Sequence, residues 1–289
     1  MTSRQVVYKT IEFDKPPRVP QNLWPLPWAG NNYPKELERI NKDFPTDITF
    51  VYGFYKQQPK TVGERFEIGE YIDEWGCKFT NIQRGIVGEI KDAIVDEDDL
   101  DWTDTSHVHF PKELLTLDVD MINRQCRESE LFTIAEALPR PFEQLQFIRK
   151  TEQLYMDLAD PTEGFLKFVA KMHEFYCELC EVWAKTDVDA LQIMDDWGSQ
   201  NTLLINPKTW VEIFKPMYKD YCDIARRRFF YINIALRYIF HKFIAHFTLR
   251  MKPIKFPKTV GRRFIAVFDV DRDKSNGIGC QIILGVLNL

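Results

Sequence analysis

No stretch of the 289 residues approaches the roughly 20 consecutive apolar residues that a membrane-crossing helix needs. A membrane partner is therefore not expected. The chain opens Met1-Thr2-Ser3-Arg4-Gln5 without the apolar run of a secretory signal, which points to the cytoplasm. Its six cysteines (Cys77, Cys126, Cys177, Cys180, Cys222 and Cys280) are scattered through a chain too large to need disulfide staples. A Gly-rich phosphate loop, a dinucleotide fingerprint and a Ser or Cys nucleophile motif are all missing, so phosphoryl and hydride transfer have no support. Histidine is scarce, and the pair His107-Val108-His109 reads as a solvated or packed edge. Cys177 and Cys180 have C-x-x-C spacing but fall inside a long amphipathic pattern with no second pair nearby, so they read as half-buried helix thiols and not as a zinc site.

What is present is a core-forming chain with an uneven charge. Residues 226–289 carry 13 Lys and Arg against 3 Asp and Glu, leaving 25 against 40 in residues 1–225. The net charge of −5 is thus an acidic body joined to a basic tail. In the body, the acidic run Asp96-Glu97-Asp98-Asp99-Leu100-Asp101 reads as a solvated turn leading into a helix, since it lacks the alternating oxygen ligands and glycine of a calcium loop.

Periodicity divides the body into elements. A short helix starts at Thr2 or Ser3 and stops before Pro16-Pro17. Val19–Trp24 reads as an extended entry strand, and the Pro-rich stretch Pro25–Pro34 as loop. Residues 61–110 suit a β-ribbon or irregular cap. Leu131–Ala135 reads as a buried strand, Pro141–Asp160 as two short helices, Pro161–Lys185 as one long helix and Val188–Met194 as a further strand. Asn206-Pro207 then starts another helix, with Asn as cap and Pro at the first helical position. Strands alternating with long helices predict parallel pairing through crossovers, hence an α/β fold.

Chemistry is expected at strand ends. Asp195-Asp196-Trp197-Gly198 places two carboxylates directly after a buried strand, where parallel α/β folds carry catalytic groups, although an Asx-turn that merely ends the strand uses the same residues. Glu143, beside Phe142, suits an acid, base or orienting group, with surface charge as the plain alternative. Glu74-Trp75-Gly76 has the same balance, because an indole packed under a hairpin explains Trp75 equally well. Arg149 completes the set flanking the first of the short helices.

Several stretches then assemble into a likeness. Thr2-Ser3-Arg4, Ile11 to Pro20, Asp73 to Cys77, Gly85 to Glu89, Phe142-Glu143 with Arg149, Asp195 to Gln200, and Phe214 to Lys219 together resemble the uroporphyrinogen decarboxylase superfamily, and most of all its corrinoid-linked methyltransferases. The resemblance covers residues 1–226 and implies a (β/α)8 TIM-barrel type domain, with an active-site cleft at the C-terminal strand ends and a cap-like segment at about 61–110. Decarboxylases of the superfamily hold substrate carboxylates with arginines in the loop after the first strand; here Leu23 to Gly30 has none. The implied activity is corrinoid-dependent methyl transfer from a small methylated or methoxylated substrate, with porphyrin decarboxylation as the alternative. Asp195, Asp196, Glu143 and Glu74 would be the catalytic groups. Trp24, Trp28, Trp75, Arg149, Trp197 and Gly198 would bind substrate. The His-x-Cys zinc pair and the Asp-x-His-x-x-Gly corrinoid motif of relatives are missing, so a cobalamin would arrive on a separate protein or bind noncovalently, and no metal ligands are assigned.

The likeness ceases after Arg226, where further β/α units are due. Relatives would place a strand ending His-Ser-Asp or His-Ser-Cys near residue 235. Ile234 to Tyr238 can be encoded ATT GCA CTC AGA TAC, whose neighbouring frame reads Leu-His-Ser-Asp. Residues 227–289 are therefore read as an aberrant, frame-shifted tail on an incomplete barrel, which leaves an inactive remnant or binding protein as the third reading. A genuine basic arm for nucleic acid or anionic lipid is the rival reading of the tail, and it is not the one preferred.

Overall fold

Thr2 caps the first helix, α1 (Ser3–Ile11), through a capping box in which its hydroxyl accepts from the Gln5 N–H and the Gln5 side chain accepts from the Thr2 N–H. The computed structural model describes residues 1–52, 54–135, 139–198, 202–227, 231–236 and 265–267. Val19–Trp24 does not form the expected strand. Pro20 and Pro25 cannot donate to a ladder, and the segment is instead pinned at one point: the Asp47 N–H donates to the Gln21 carbonyl at 2.7 Å and the Gln21 N–H to Asp47 Oδ2 at 2.7 Å. Nor is Pro25–Pro34 all loop. Pro27 and Pro34 each take the first turn of a helix, α2 (Pro27–Asn32) and α3 (Pro34–Asp43), where their fixed φ and missing N–H cost nothing.

The main sheet begins with β1 (Ile48–Val51) and continues through β5 (Phe132–Ala135), β6 (Ala190–Asp195), β7 (Tyr231–Leu236) and β8 (Ile265–Val267), paired in that order and parallel throughout. Between β1 and β5 lie three short antiparallel strands, β2 (Gly69–Ile72), β3 (Lys78–Asn81) and β4 (Glu89–Ile90), followed by α4 (Val119–Glu128). The three strands form an antiparallel ribbon within residues 61–110, the segment read as a ribbon or cap. Next to β5 come α5 (Pro141–Arg149), α6 (Thr151–Ala159) and the long α7 (Glu163–Trp183). After β6 follow α8 (Pro207–Thr209), a π-turn at Trp210–Phe214 and α9 (Lys215–Arg227). A sequential all-parallel order is how a (β/α) barrel starts, and the architecture shown is mixed α/β with a parallel sheet; barrel closure is not seen among the described residues. β7 pairs with all six residues of β6, so the sheet runs on past Arg226. The remainder of the tail reading, including Arg237 and Tyr238, lies outside the described residues.

The pleat of β6 sorts its side chains between two cores, since successive residues point to opposite faces. Leu191 and Ile193 join the large core under α5, α7 and α9, whereas Ala190 joins a smaller one with Val7, Ile11, Ile48, Phe132 and Ile134. Helix α1 thus plugs the face of the sheet away from the long helices. Two ion pairs secure the N-terminal strand ends: Arg18 grips the buried Asp47 with both guanidinium nitrogens at 2.5 and 2.6 Å, and Arg4 meets Asp189 at 3.0 Å. Burial alone would raise the Asp47 carboxyl, but hydrogen bonds from Arg18, Ser3 and the Gln21 N–H, with the Arg18 charge, together outweigh it and the pKa is lowered. The structural charges sit at one end of the strands, which leaves the other end for chemistry.

Candidate functional site

Asp195 closes β6 on the pleat face of Leu191 and Ile193, so it points into the helical layer. Its carboxyl accepts from the Phe142 N–H at 3.1 Å, the Glu143 N–H at 2.7 Å and the Tyr218 hydroxyl at 2.6 Å. The first two are orphan donors of the first turn of α5, so Asp195 acts as a remote cap for that helix. The Trp197 indole N–H donates to the same Tyr218 oxygen at 2.8 Å, and the ring stacks on Phe142 at 4.3 Å. Burial drives the Asp195 carboxyl up to about 8 against the hydrogen bonds that pull it down, with the charge of Glu143 adding to the rise. At neutral pH it is mostly protonated.

Asp195, expected among the catalytic groups, is engaged in the core as a positioning residue. Asp196 beside it is half-buried and acts electrostatically on Tyr155, whose ring is parallel to Phe142 at 6.5 Å. Glu143, whose side chain is 23% exposed, lies 3.4 Å from Arg140 Nη1.

Around α5 the cap contributes a second group. Asp73 is buried, with Oδ1 accepting from the Trp75 and Cys77 N–H groups at 3.0 and 2.7 Å, while Oδ2 has no hydrogen-bond partner among the described residues. Burial, then the neighbouring charge of Glu74, raises it to about 6. Glu74 is half-buried and acts on Arg65, Tyr71, Asp73, Arg140 and Tyr176. A relay of rings joins the two groups: Tyr71 meets Phe79 at 6.0 Å, Phe79 meets Phe147 at 5.1 Å, and Arg140 lies over Phe147 at 5.4 Å. Two of the expected acids, Glu74 and Glu143, thus act on the same two cations, Arg65 and Arg140.

Other expectations are corrected. Arg149 is fully buried, bonded to Asp157 Oδ2 at 2.9 Å, to the carbonyls of Val95, Asp96 and Asp99, and stacked on Trp102. It fastens the acidic 96–101 turn to the core and has no surface left for substrate. That turn is solvated as expected, but no helix follows it directly. Trp75 is 2% exposed among Phe110, Phe175 and Tyr176, so its indole is core under the cap. Trp197 is 3% exposed and supports Tyr218 and Phe142, touching no open surface. Gly198 is half-buried in a bridge to Leu203. Ser199 and Gln200, part of the same motif, lie outside the described residues.

Trp24 and Trp28 do reach open surface. Trp24 is 41% exposed and packs on Phe50 of β1 at 5.3 Å. The Trp28 N–H donates to the Gly85 carbonyl at 2.9 Å, and the Gly85 N–H donates to the Phe66 carbonyl at 2.7 Å, tying the Trp loop to the cap beside Arg65.

Sequence reasoning missed Arg65, Arg140, Asp73, Tyr218 and Gln192. Arg140 had a signal: it lies between Pro139 and Pro141 at the N-terminus of α5, where a cation opposes the helix dipole and has no helical reason to be. Gln192 is 1% exposed and neither side-chain polar atom has a partner among the described residues. A groove of about 540 Å³ between α7 and α9, lined by Cys177, Glu181, Asp220 and Arg227 among others, contains none of these groups. Among the described residues no cluster of His, Cys, Asp and Glu stands in position to hold a metal ion, and no helix is long and apolar enough to cross a membrane.

No family model matches this chain, and no curated protein does. Among solved structures, a methyltransferase from Methanosarcina mazei is similar in fold, with a TM-score of 0.53 and 9% identity, over 82% of this chain and 70% of that one.

Proposed function

We propose that this chain is a methyl-transfer enzyme acting on a small methylated substrate held at the N-terminal end of α5. The observation that carries the reading is the convergence of Glu74 and Glu143 on Arg65 and Arg140, at the α5 end that Asp195 clamps, on a fold similar to that of a methyltransferase. A reduced corrinoid carried by a separate protein would supply the nucleophile. Leu23, Trp24 and Leu26, exposed at 37%, 41% and 42%, fit contact with the apolar edge of such a carrier and offer no ligand atom to a metal. On this reading the chain's own residues bind and orient the substrate. Glu143 orients the substrate, since Arg140 fixes its side chain at the start of α5. Asp195, protonated near neutral pH, holds the first turn of α5 in place through two backbone N–H groups.

The test is optical. Full-length protein mixed with reduced cobalamin and a panel of methoxylated and N-methylated compounds is expected to convert the cobalt spectrum with at least one of them, and Glu143→Gln to slow that conversion at least tenfold. No spectral change with any compound overturns the reading. Arg65 and Arg140 favour one second reading, a carboxylate-holding decarboxylase, because they bring to the mouth the cations that the Leu23–Gly30 loop lacks. Release of carbon dioxide and coproporphyrinogen from uroporphyrinogen would establish it.

A further inference from the structure

Helix α3 buries none of its residues. At ten residues it is marginal as an isolated helix in water, so packing has to hold it. Its apolar face is a single stripe. Tyr33 and Phe44 close the two ends within the helical ladder, the Leu37 N–H donating to the Tyr33 carbonyl at 3.0 Å and the Phe44 N–H to the Ile40 carbonyl at 2.8 Å. Tyr33, Leu37, Ile40 and Phe44 thus follow one another along one side at steps of four, three and four residues. Helix α2 supports one end, where Tyr33 packs on Trp28 at 5.5 Å. The rest is open: Tyr33 is 52%, Ile40 40% and Phe44 57% exposed, with Leu37 half-buried.

The stripe reads the same from both ends. Its spacing is a palindrome, and so is its order of side chains, aromatic, aliphatic, aliphatic, aromatic. A two-fold interface requires that property, because each copy offers the same patch to the other. Laid antiparallel, two copies set Tyr33 of each against Phe44 of the other, and Leu37 against Ile40.

The charges agree with such a pairing. Lys35, Arg39 and Lys42 balance Glu36, Glu38 and Asp43, and none of the six makes an ion pair or side-chain hydrogen bond with the described residues. Neither sign dominates, so the charge selects no acidic or basic foreign partner, whereas the palindrome selects a copy. Glu36 and Arg39 stand on one flank of the stripe. Antiparallel docking brings Glu36 of each copy within about 3 Å, along the helix axis, of the level of Arg39 of the other. Asp43 shares that flank and offsets part of the gain.

We infer that α3 is a dimer interface, docking antiparallel on α3 of a second copy of this chain about a two-fold axis. The helix carries none of the residues assigned to methyl transfer, so the two readings stand or fall separately.

Sedimentation velocity of the full chain over a series of micromolar concentrations is expected to show a monomer–dimer equilibrium. Ile40→Glu should raise its dissociation constant roughly a hundredfold, and Arg39→Glu about tenfold, with α7 as protected from proteolysis as in the parent. Adding Glu36→Arg to Arg39→Glu should return the dimer to the parent's strength, because the reversed pair attracts again across the axis. A parent that stays monomeric throughout overturns the inference, whatever else covers the stripe. A dimer that Ile40→Glu leaves unchanged overturns it too, and a double variant no tighter than Arg39→Glu removes the antiparallel arrangement.

Discussion

At Asp195 one side chain links strand, helix and pH. The carboxyl is pushed up to about 8 in the folded protein against an ordinary value of 3.8. Between those values the folded chain keeps a proton that the unfolded chain has lost, so stability is fullest below about pH 4 and drains away as pH rises towards 8. Asp73, at about 6, contributes the same trend over the lower part of that window. Asp195→Asn keeps one acceptor oxygen, turns the other into an NH2 facing a donor, and cannot ionise, so the variant should melt lower than the parent but with a shallower fall from pH 5 to 8. Parallel slopes in a calorimetric pH series would remove Asp195 as the titrating group. The sequence announced that two carboxylates end β6; which one faced where was not legible. The pleat decides that, and it depends on which sheet face the long helices cover. For Arg149, likewise, a cation at the end of an amphipathic helix looks the same in the sequence whether it meets substrate or a buried Asp157 from the next helix.

Elements read best where one period dominates. Helix α7 buries Phe165, Phe168, Val169, Met172, Phe175, Tyr176, Leu179 and Trp183, and its stripe was plain in the sequence. Proline was misread between residues 25 and 34, because a proline that stops one helix is chemically the same as one that starts the next. The docking of α2 on the cap was illegible for a different reason: it rests on a glycine. Gly85 has φ +86°, and a Cβ there would lie 2.5 Å from Trp28 N and Cα. Gly85→Ala is expected to cost roughly 1–3 kcal/mol in local strain and to lift α2 from the turn. Limited proteolysis should then cut within residues 23–34 faster than in the parent, while α7 stays protected. Equal cleavage rates would mean that the turn absorbs the methyl group without releasing α2.

At the scale of the whole molecule the question is whether the basic tail belongs to the fold. A frame-shifted tail has no reason to complete a sheet, yet β7 and β8 continue the parallel order begun by β1, and β7 covers β6 along its full length. The burial of β6 supplies the force of the argument. Five of its six residues are buried, three of them in cores shared with α1, α7 and α9, and without β7 the strand would present an open, apolar edge. Such an edge is a template for pairing with other chains. Ending the chain at Arg227 is therefore expected to give a protein that elutes as aggregates and melts at lower temperature than the parent. If residues 1–227 elute without aggregates and melt unchanged, β7 and β8 add nothing to the body, and the tail is the aberrant segment its charge suggests. Resequencing the gene gives the independent answer: a neighbouring frame that reads Leu-His-Ser-Asp opposite Ile234 to Tyr238 and continues open supports a shift, and one that meets early stops removes it. The two measurements cross usefully, because a shifted frame can still leave a strand able to pair. Aggregation of the shortened chain together with an open neighbouring frame would mean that a substitute strand protects β6 while the catalytic strand end due at that place is missing, and methyl transfer would then return only when the frame is restored.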